Sequence, residues 1–174
     1  KNKERLKIIT HDLASPLTPF VKKAIGKIDI ILNLASDSHV DRSITDPVDF
    51  TLNNVNLILN LLEFAREIKP KLFLQFSTDE VYGQTPIGMN HKEWSSIVPS
   101  NPYSASKASQ EAISISYWRT YGIPLIITNT MNAFGEYKDK EKFVHLCIEK
   151  ILSGEKISIH SYPDRKKAGS RFYI

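Results

Sequence analysis

Short runs of aliphatic, β-branched and aromatic residues recur along the chain, each parted from the next by a longer stretch with helical spacing. The runs are Leu6–Thr10, Asp29–Ala35, Lys71–Ser77 and Pro124–Asn129, with a weaker fifth at Ile157–His160. Each is flanked by breakers and is close to continuously apolar, which is how a strand buried in a parallel sheet reads. Between them, Val48–Lys69 sets Val55, Ile58, Leu59 and Leu62 on one helical stripe and is stopped by Pro70. Asn101–Tyr121 is a second helix, closed by Gly122 and Pro124, and Glu141–Leu152 is a third, closed by Ser153-Gly154. Repeated strand–helix–strand units admit few architectures. They predict an α/β fold built on a doubly wound parallel sheet with helices on both faces. Ligands of such sheets bind beyond the carboxyl ends of the strands, so the strand tips are where chemistry is expected.

The tips are polar. The first run ends in His11-Asp12-Leu13, the second in Leu34-Ala35-Ser36, the third in Ser77-Thr78-Asp79-Glu80, and the fourth passes into Thr130-Met131-Asn132. Charge elsewhere is unremarkable in pattern: a net +4 is spread over interleaved acids and bases, with no stripe suited to nucleic acid. The short cluster Arg165-Lys166-Lys167 reads as a solvated loop. The single cysteine, Cys147, excludes an internal disulfide and sits in an apolar helical pattern, as a small buried hydrophobe would. No signal peptide or long apolar span is present, which predicts a soluble cytoplasmic protein with no membrane partner. The chain begins with Lys1 and stops at Phe172-Tyr173-Ile174, within a strand-like run, so a piece of a longer protein is expected.

Two stretches carry chemistry. The run Gln75–Gly83, QFSTDEVYG, ends a buried strand with two hydroxyls and two adjacent carboxylates. Such a cluster serves either as a polar strand end and helix cap, or as an acid–base pair, because neighbouring carboxylates resist joint ionisation. The second is Tyr103-Ser104-Ala105-Ser106-Lys107. Tyr and Lys four apart share a helix face. An ammonium beside a phenol lowers its pKa and lets it take a proton from an alcohol. The alternative is a plain surface pair.

Together these stretches resemble the extended short-chain dehydrogenase/reductases, and more narrowly the nucleoside-diphosphate-sugar 4,6-dehydratases of the dTDP-glucose type. STDEVYG is followed by PSNPYSASKAS (Pro99–Ser109), Asn33–Ile44 is similar to the family's LAAESHVDRSI, Phe50–Arg66 to its F-x-x-T-N-V…LLE-x-AR stretch, and Thr128–Tyr137 to its TNCSNNYGPY. The resemblance implies a Rossmann-type fold, NAD as cofactor, and dehydration of a nucleoside-diphosphate hexose to its 4-keto-6-deoxy form. It gives Tyr103 the C4 hydroxyl proton, Lys107 the ribose and the lowering of the Tyr103 pKa, and Thr78 a hydrogen bond to the same oxygen. Glu80 becomes the base at C5 and Asp79 the acid at the C6 hydroxyl, before hydride returns to C6. Family members that only epimerise at C4 lack this acidic pair.

The resemblance also implies cofactor contacts. Asp12 and Leu13 match a pair at the adenine, and Leu34, Ala35 and Ser36 a backbone segment along the dinucleotide. Ser38 matches a serine near nicotinamide and substrate, Asn53 stands where the family has Thr beside the cofactor, and Ala133 replaces a second asparagine. For the substrate, Asn132 matches a residue of the phosphate region and Lys142 a segment gripping the nucleotide. His39, Asp41 and Arg42 are read as loop supports, and no metal is expected. Phe134 and Glu136 replace Tyr and Pro of the NYGP turn, and Arg171 lies two residues later than the arginine of the family's Arg-Asp-Trp-x-Tyr-Val run. These departures bear on which sugar and nucleotide are bound.

With seven glycines and no G-x-x-G-x-x-G, the chain lacks the turn that seats a pyrophosphate. By resemblance, Leu6–Thr10 is the family's third strand, with the N-terminal βαβ upstream and most of the substrate domain downstream. Residues 1–136 are then the central and later part of the NAD-binding domain, and 137–174 the start of the substrate-binding region. The isolated stretch is expected to bind NAD poorly and to be inactive. Relatives dimerise through the helix bearing Tyr103 and Lys107, so a homodimer is expected of the full-length protein. Ile113, Ile115, Tyr117 and Trp118 serve either that surface or the sheet. A nucleotide-sugar 4-epimerase, a UDP-glucuronate decarboxylase and an inactive binding protein of the family remain as alternatives.

Overall fold

The computed structural model describes residues 5–86, 88–133, 135 and 143–159. Two compact units divide the chain, Lys1–Thr130 and Met131–Ile174.

The first unit runs α1 (Pro19–Ile25), β1 (Ile30–Asn33), α2 (Val40–Thr45), α3 (Pro47–Ile68), β2 (Leu72–Thr78), a 3-10 turn (Asp79–Tyr82), α4 (Pro102–Tyr121) and β3 (Leu125–Thr130). The three strands are parallel in the order β1-β2-β3, the arrangement of a Rossmann-like sheet. Register aligns the tips: Asn33 pairs with Gln75, Ser77 with Asn129, and Thr78 with Thr130. Polar ends of all three strands therefore reach one edge.

Strand alternation puts Ile31, Asn33, Phe73, Gln75 and Ser77 on a buried face. The crossover helices α3 and α4 pack on that face and on each other. Helix α3 turns Phe50, Asn54, Leu57, Ile58, Leu61, Leu62 and Ala65 inward, a stripe of three- and four-residue steps. Phe73, Ile58, Leu62 and Ala65 are fully buried at its centre, each large side chain contributing about 1.5–3 kcal/mol. On the opposite face Ile30, Leu32 and Ile126 are exposed.

The expected elements shift in several places. Leu6–Thr10 is not a strand: it pairs with none of the three, and Leu6 and Ile8 are exposed. A strand is defined by its ladder, and apolar composition without a neighbour does not supply one. Ile157–Ile159 likewise forms no strand, and His160 lies outside the described residues. Helix α1 was not anticipated. Thr18 caps it by accepting from Val21 N–H, Pro19 opens its first turn, and Gly26 ends it at φ 73°. The stretch begun at Val48 starts instead at Pro47, after the separate short α2, and Lys69 closes it in a left-handed conformation at φ 52° ahead of Pro70.

In the second unit, α5 spans Phe143–Ser153, and none of its residues is buried. Cys147 is half-buried there rather than enclosed.

Candidate active site

The tip of β2 turns sharply. Thr78 caps the 3-10 turn, its Oγ1 accepting from the Glu80 N–H at 3.3 Å while the hydroxyl donates to Asp79 Oδ1 at 3.3 Å. Both carboxylates are thereby set in one turn. Gly83 ends it at φ 75° and ψ −158°, a region open essentially to glycine alone. A Cβ there would stand 2.3 Å from the Val98 carbonyl oxygen, and Val98 N–H donates to Val81 O at 2.9 Å. Gly83→Ala is expected to cost roughly 1–3 kcal/mol of stability, read as a lowered midpoint in denaturant unfolding at unchanged slope.

Helix α4 faces this turn. Its start is fixed by a reciprocal cap: Asn101 Oδ1 accepts from Ser104 N–H at 2.8 Å, and Ser104 Oγ from Asn101 N–H at 3.2 Å. Pro102 opens the first turn, so Tyr103 is presented at the helix start and Lys107 one turn on. The Tyr103 ring packs edge-on to Phe50, with centroids 6.4 Å apart. The Thr78 side chain and the charges of Glu80 and Asp79 act on its hydroxyl. Lys107 Nζ donates to the Phe76 carbonyl at 2.7 Å and to Gln110 Oε1 at 2.9 Å. Thr78, Asp79, Glu80, Tyr103 and Lys107 thus gather around one strand tip.

The electrostatics depart from expectation at Tyr103. Instead of being lowered by Lys107, the phenol is pushed up to about 12, by burial first and then by Glu80, with Asp79 adding to it and the Thr78 bond opposing. The ammonium is turned to the Phe76 carbonyl and Gln110, whereas the charges of the two carboxylates bear on the phenol. Lys107 itself is held down to about 8 by burial, with Glu111 working against the shift.

Beneath the tip lies a buried carboxyl that sequence reasoning passed over. Glu111 accepts from the Ser77 hydroxyl and from Asn129 Nδ2, the latter at 2.7 Å, and Tyr82 OH donates to Asn129 Oδ1 at 3.1 Å. Burial raises its pKa against those bonds and against Lys107. The signal available was spacing: Glu111 stands four residues after Lys107 and eight after Tyr103, on the same helical face.

The β1 tip is strapped to α3 and α4. Asp37 N–H donates to Asn54 Oδ1 at 2.8 Å, Asn53 Nδ2 to Asp37 Oδ2 at 3.2 Å, and Asn54 Nδ2 to Ser106 Oγ at 2.9 Å. Asn53 therefore spends an amide hydrogen on the loop. Leu34 is exposed, while Ala35, Ser36 and Ser38 are half-buried along it. Arg42 pairs with Asp37 at 3.5 Å, a loop-ordering contact. Asp12 Oδ1 accepts from Ala14 N–H at 3.0 Å and so closes its own turn, and Leu13 O accepts from Asn60 Nδ2 at 3.0 Å. Asn132 and Ala133 belong to the second unit. Lys142, Phe134, Glu136, Arg171 and the Arg165-Lys166-Lys167 cluster lie outside the described residues.

A dinucleotide suits the donors present. An ammonium has three N–H groups, and among the described residues those of Lys107 meet two acceptors, Phe76 O and Gln110 Oε1. One donor is left for a ligand hydroxyl. The small residues Ala35 and Ser36 let a ligand approach the main chain at the β1 tip.

Residues 1–163 match the family model described as GDP-mannose 4,6 dehydratase. A dTDP-glucose 4,6-dehydratase of Xanthomonas campestris pv. campestris is 38% identical over 155 residues, covering 84% of this chain and 44% of that protein. One of Escherichia coli is 37% identical over 178 residues, covering 92% and 49%. The chain thus spans about half the length of the curated relatives it matches. Among solved structures, DesIV of Streptomyces venezuelae, a dTDP-glucose 4,6-dehydratase with NAD and DAU bound, superposes with a TM-score of 0.80 at 32% identity, over 88% of this chain and 47% of that one. A UDP-N-acetylglucosamine 4-epimerase of Methanobrevibacter ruminantium, in complex with UDP-N-acetylmuramic acid, gives 0.84 at 29% identity, over 99% and 55%.

Proposed function

The chain belongs to the GDP-mannose 4,6-dehydratase family, within the nucleotide-sugar dehydratases and epimerases of the short-chain dehydrogenase/reductase superfamily, and on that footing we propose that the full-length protein dehydrates a nucleoside-diphosphate hexose to its 4-keto-6-deoxy form. The observation that carries this is the acidic pair, Asp79 and Glu80, set against Tyr103 by the β2 turn.

NAD, the cofactor of the proposed reaction, supplies the hydride acceptor at C4 and the hydride donor at C6. Lys107 would hold its nicotinamide ribose, and the Leu34–Ser36 backbone with Ser38 and Asn53 would line its path. Asp12, Leu13 and Ala133 are its proposed outer contacts. Tyr103 takes the proton of the C4 hydroxyl, with Thr78 bonding the same oxygen. Because the phenol ionises only near 12 in the chain alone, the proton transfer depends on positive charge brought to the site. Once C4 is a ketone, the C5 proton is acidic and Glu80 removes it. Asp79 protonates the departing C6 hydroxyl. Asn132 and Lys142 are the proposed contacts to the nucleotide half of the substrate.

On this reading residues 1–136 belong to the cofactor domain and 137–174 to the substrate region. The enzyme acts in the cytoplasm and as a homodimer. Ile113 and Tyr117 pack against the core, whereas Ile115 and Trp118 are exposed on α4 and free to meet a second subunit.

The superposition on a 4-epimerase favours that activity as a second reading. A panel of nucleotide sugars offered to the full-length protein separates the two. A 4-keto product lighter by one water is expected, and an isomer of unchanged mass would support epimerisation instead.

A further inference from the structure

The buried face of the sheet holds a set of polar groups to which the proposed reaction gives no task. Asn33 on β1, Gln75 on β2 and Gln110 on α4 are enclosed, at 3%, 0% and 0% exposure. Their side-chain amides join end to end. Asn33 Nδ2 donates to Gln75 Oε1 at 2.7 Å, and Gln75 Nε2 donates to Gln110 Oε1 at 2.9 Å. The same Gln110 oxygen accepts from Lys107 Nζ at 2.9 Å.

A primary amide can offer either its oxygen or its NH₂. Here a backbone group at each end decides which. The Ala35 N–H, which can only donate, bonds Asn33 Oδ1 at 3.1 Å, so Asn33 turns its NH₂ to Gln75. The Asn54 carbonyl, which can only accept, takes Gln110 Nε2 at 2.8 Å, so Gln110 turns its oxygen to Gln75 and Lys107. Gln75 Nε2 also donates to the Phe76 carbonyl at 3.0 Å, the group that receives Lys107. Flipping one amide would set like groups against each other at buried junctions, where an unmade bond is costly.

We infer that the Asn33–Gln75–Gln110 amide chain is a positioning device for Lys107, carrying the polarity of the Ala35 N–H at the β1 tip to the lysine and holding its ammonium charged and aimed at the cofactor ribose. The inference rests on the proposed role of Lys107. Gln110 touches the lysine, while Gln75 and Asn33 act through Gln110.

The test uses the full-length protein with selectively ¹³Cε-labelled lysine and no cofactor. The Lys107 signal, assigned by its loss in Lys107→Arg, is followed against pH. Gln110→Leu should move its midpoint down, and Gln110→Glu should move it up by about one pH unit or more. Gln75→Leu, which never touches the lysine, should move it down by less. The turnover rate should fall roughly 10- to 100-fold in Gln110→Leu and recover in part in Gln110→Glu. A melting temperature that drops while the Lys107 midpoint stays put would reduce the chain to packing and overturn the inference. Should Gln110→Leu fail to fold, Gln75→Leu, which leaves the bonds of Gln110 to Lys107 and the Asn54 carbonyl in place, decides alone, and an unmoved midpoint overturns the inference. Full activity in Lys107→Ala would instead sink the proposed role of the lysine, with the midpoint shifts still diagnosing the amide chain.

Discussion

In a Glu80→Gln variant, loss of water is expected to slow roughly 10²–10⁴-fold, the usual contribution of a positioned acid or base, while oxidation at C4 survives. The amide keeps the size of the side chain but cannot take the C5 proton. Mixing the variant with a substrate nucleotide sugar should therefore build up reduced nicotinamide that decays slowly, where the parent shows only a brief transient. A second effect has a definite sign. Burial and, after it, the Glu80 carboxylate push Tyr103 up to about 12. Neutralising it lowers the phenol pKa, so the reduced nicotinamide should form at lower pH than in the parent. Undiminished elimination in the variant would move the role of base to another group, with Asp79 the first to examine.

Tyr103→Phe should slow the earlier step instead. Phenylalanine preserves the edge-on contact with Phe50 but has no oxygen to receive the C4 hydroxyl proton or to bond Thr78. Turnover is expected to fall roughly 10²–10⁴-fold, with reduced nicotinamide forming correspondingly more slowly and with cofactor affinity held by Lys107. Single-turnover absorbance and cofactor titration measure the two quantities separately. The variants thus fail at different stages, and a mixture of them should not complement, because both groups act on one bound sugar.

Much of this architecture was legible because the runs that became β2 and β3 are strand-like by composition and are followed or preceded by long amphipathic helices. The motif residues Thr78, Asp79, Glu80, Tyr103 and Lys107 stand out through the family resemblance that their two stretches carry together, since type and spacing alone also fit a strand-end cap and a surface pair. Other features were hidden for physical reasons. Leu6–Thr10 has strand composition, yet a strand exists only through its neighbour. Asn33 and Gln75 look like interruptions in apolar runs, and their partners are 42 and 35 residues apart along the chain, beyond any local pattern. The direction of the Tyr103 shift was missed because helical spacing places Lys107 near the phenol without telling which way its ammonium turns.

The reciprocal cap at Asn101 and Ser104 has a wider meaning. Tyr103 is the second residue of a 20-residue helix, and helix ends are where a fold breathes first. The proposed general base is thereby lodged on ground that frays most readily, and two short side chains keep it from doing so. On the proposed role of Tyr103, each molecule would be competent only while that first turn is wound, so the cap would work as a throttle on the working fraction of the population, well before the body of the domain comes apart.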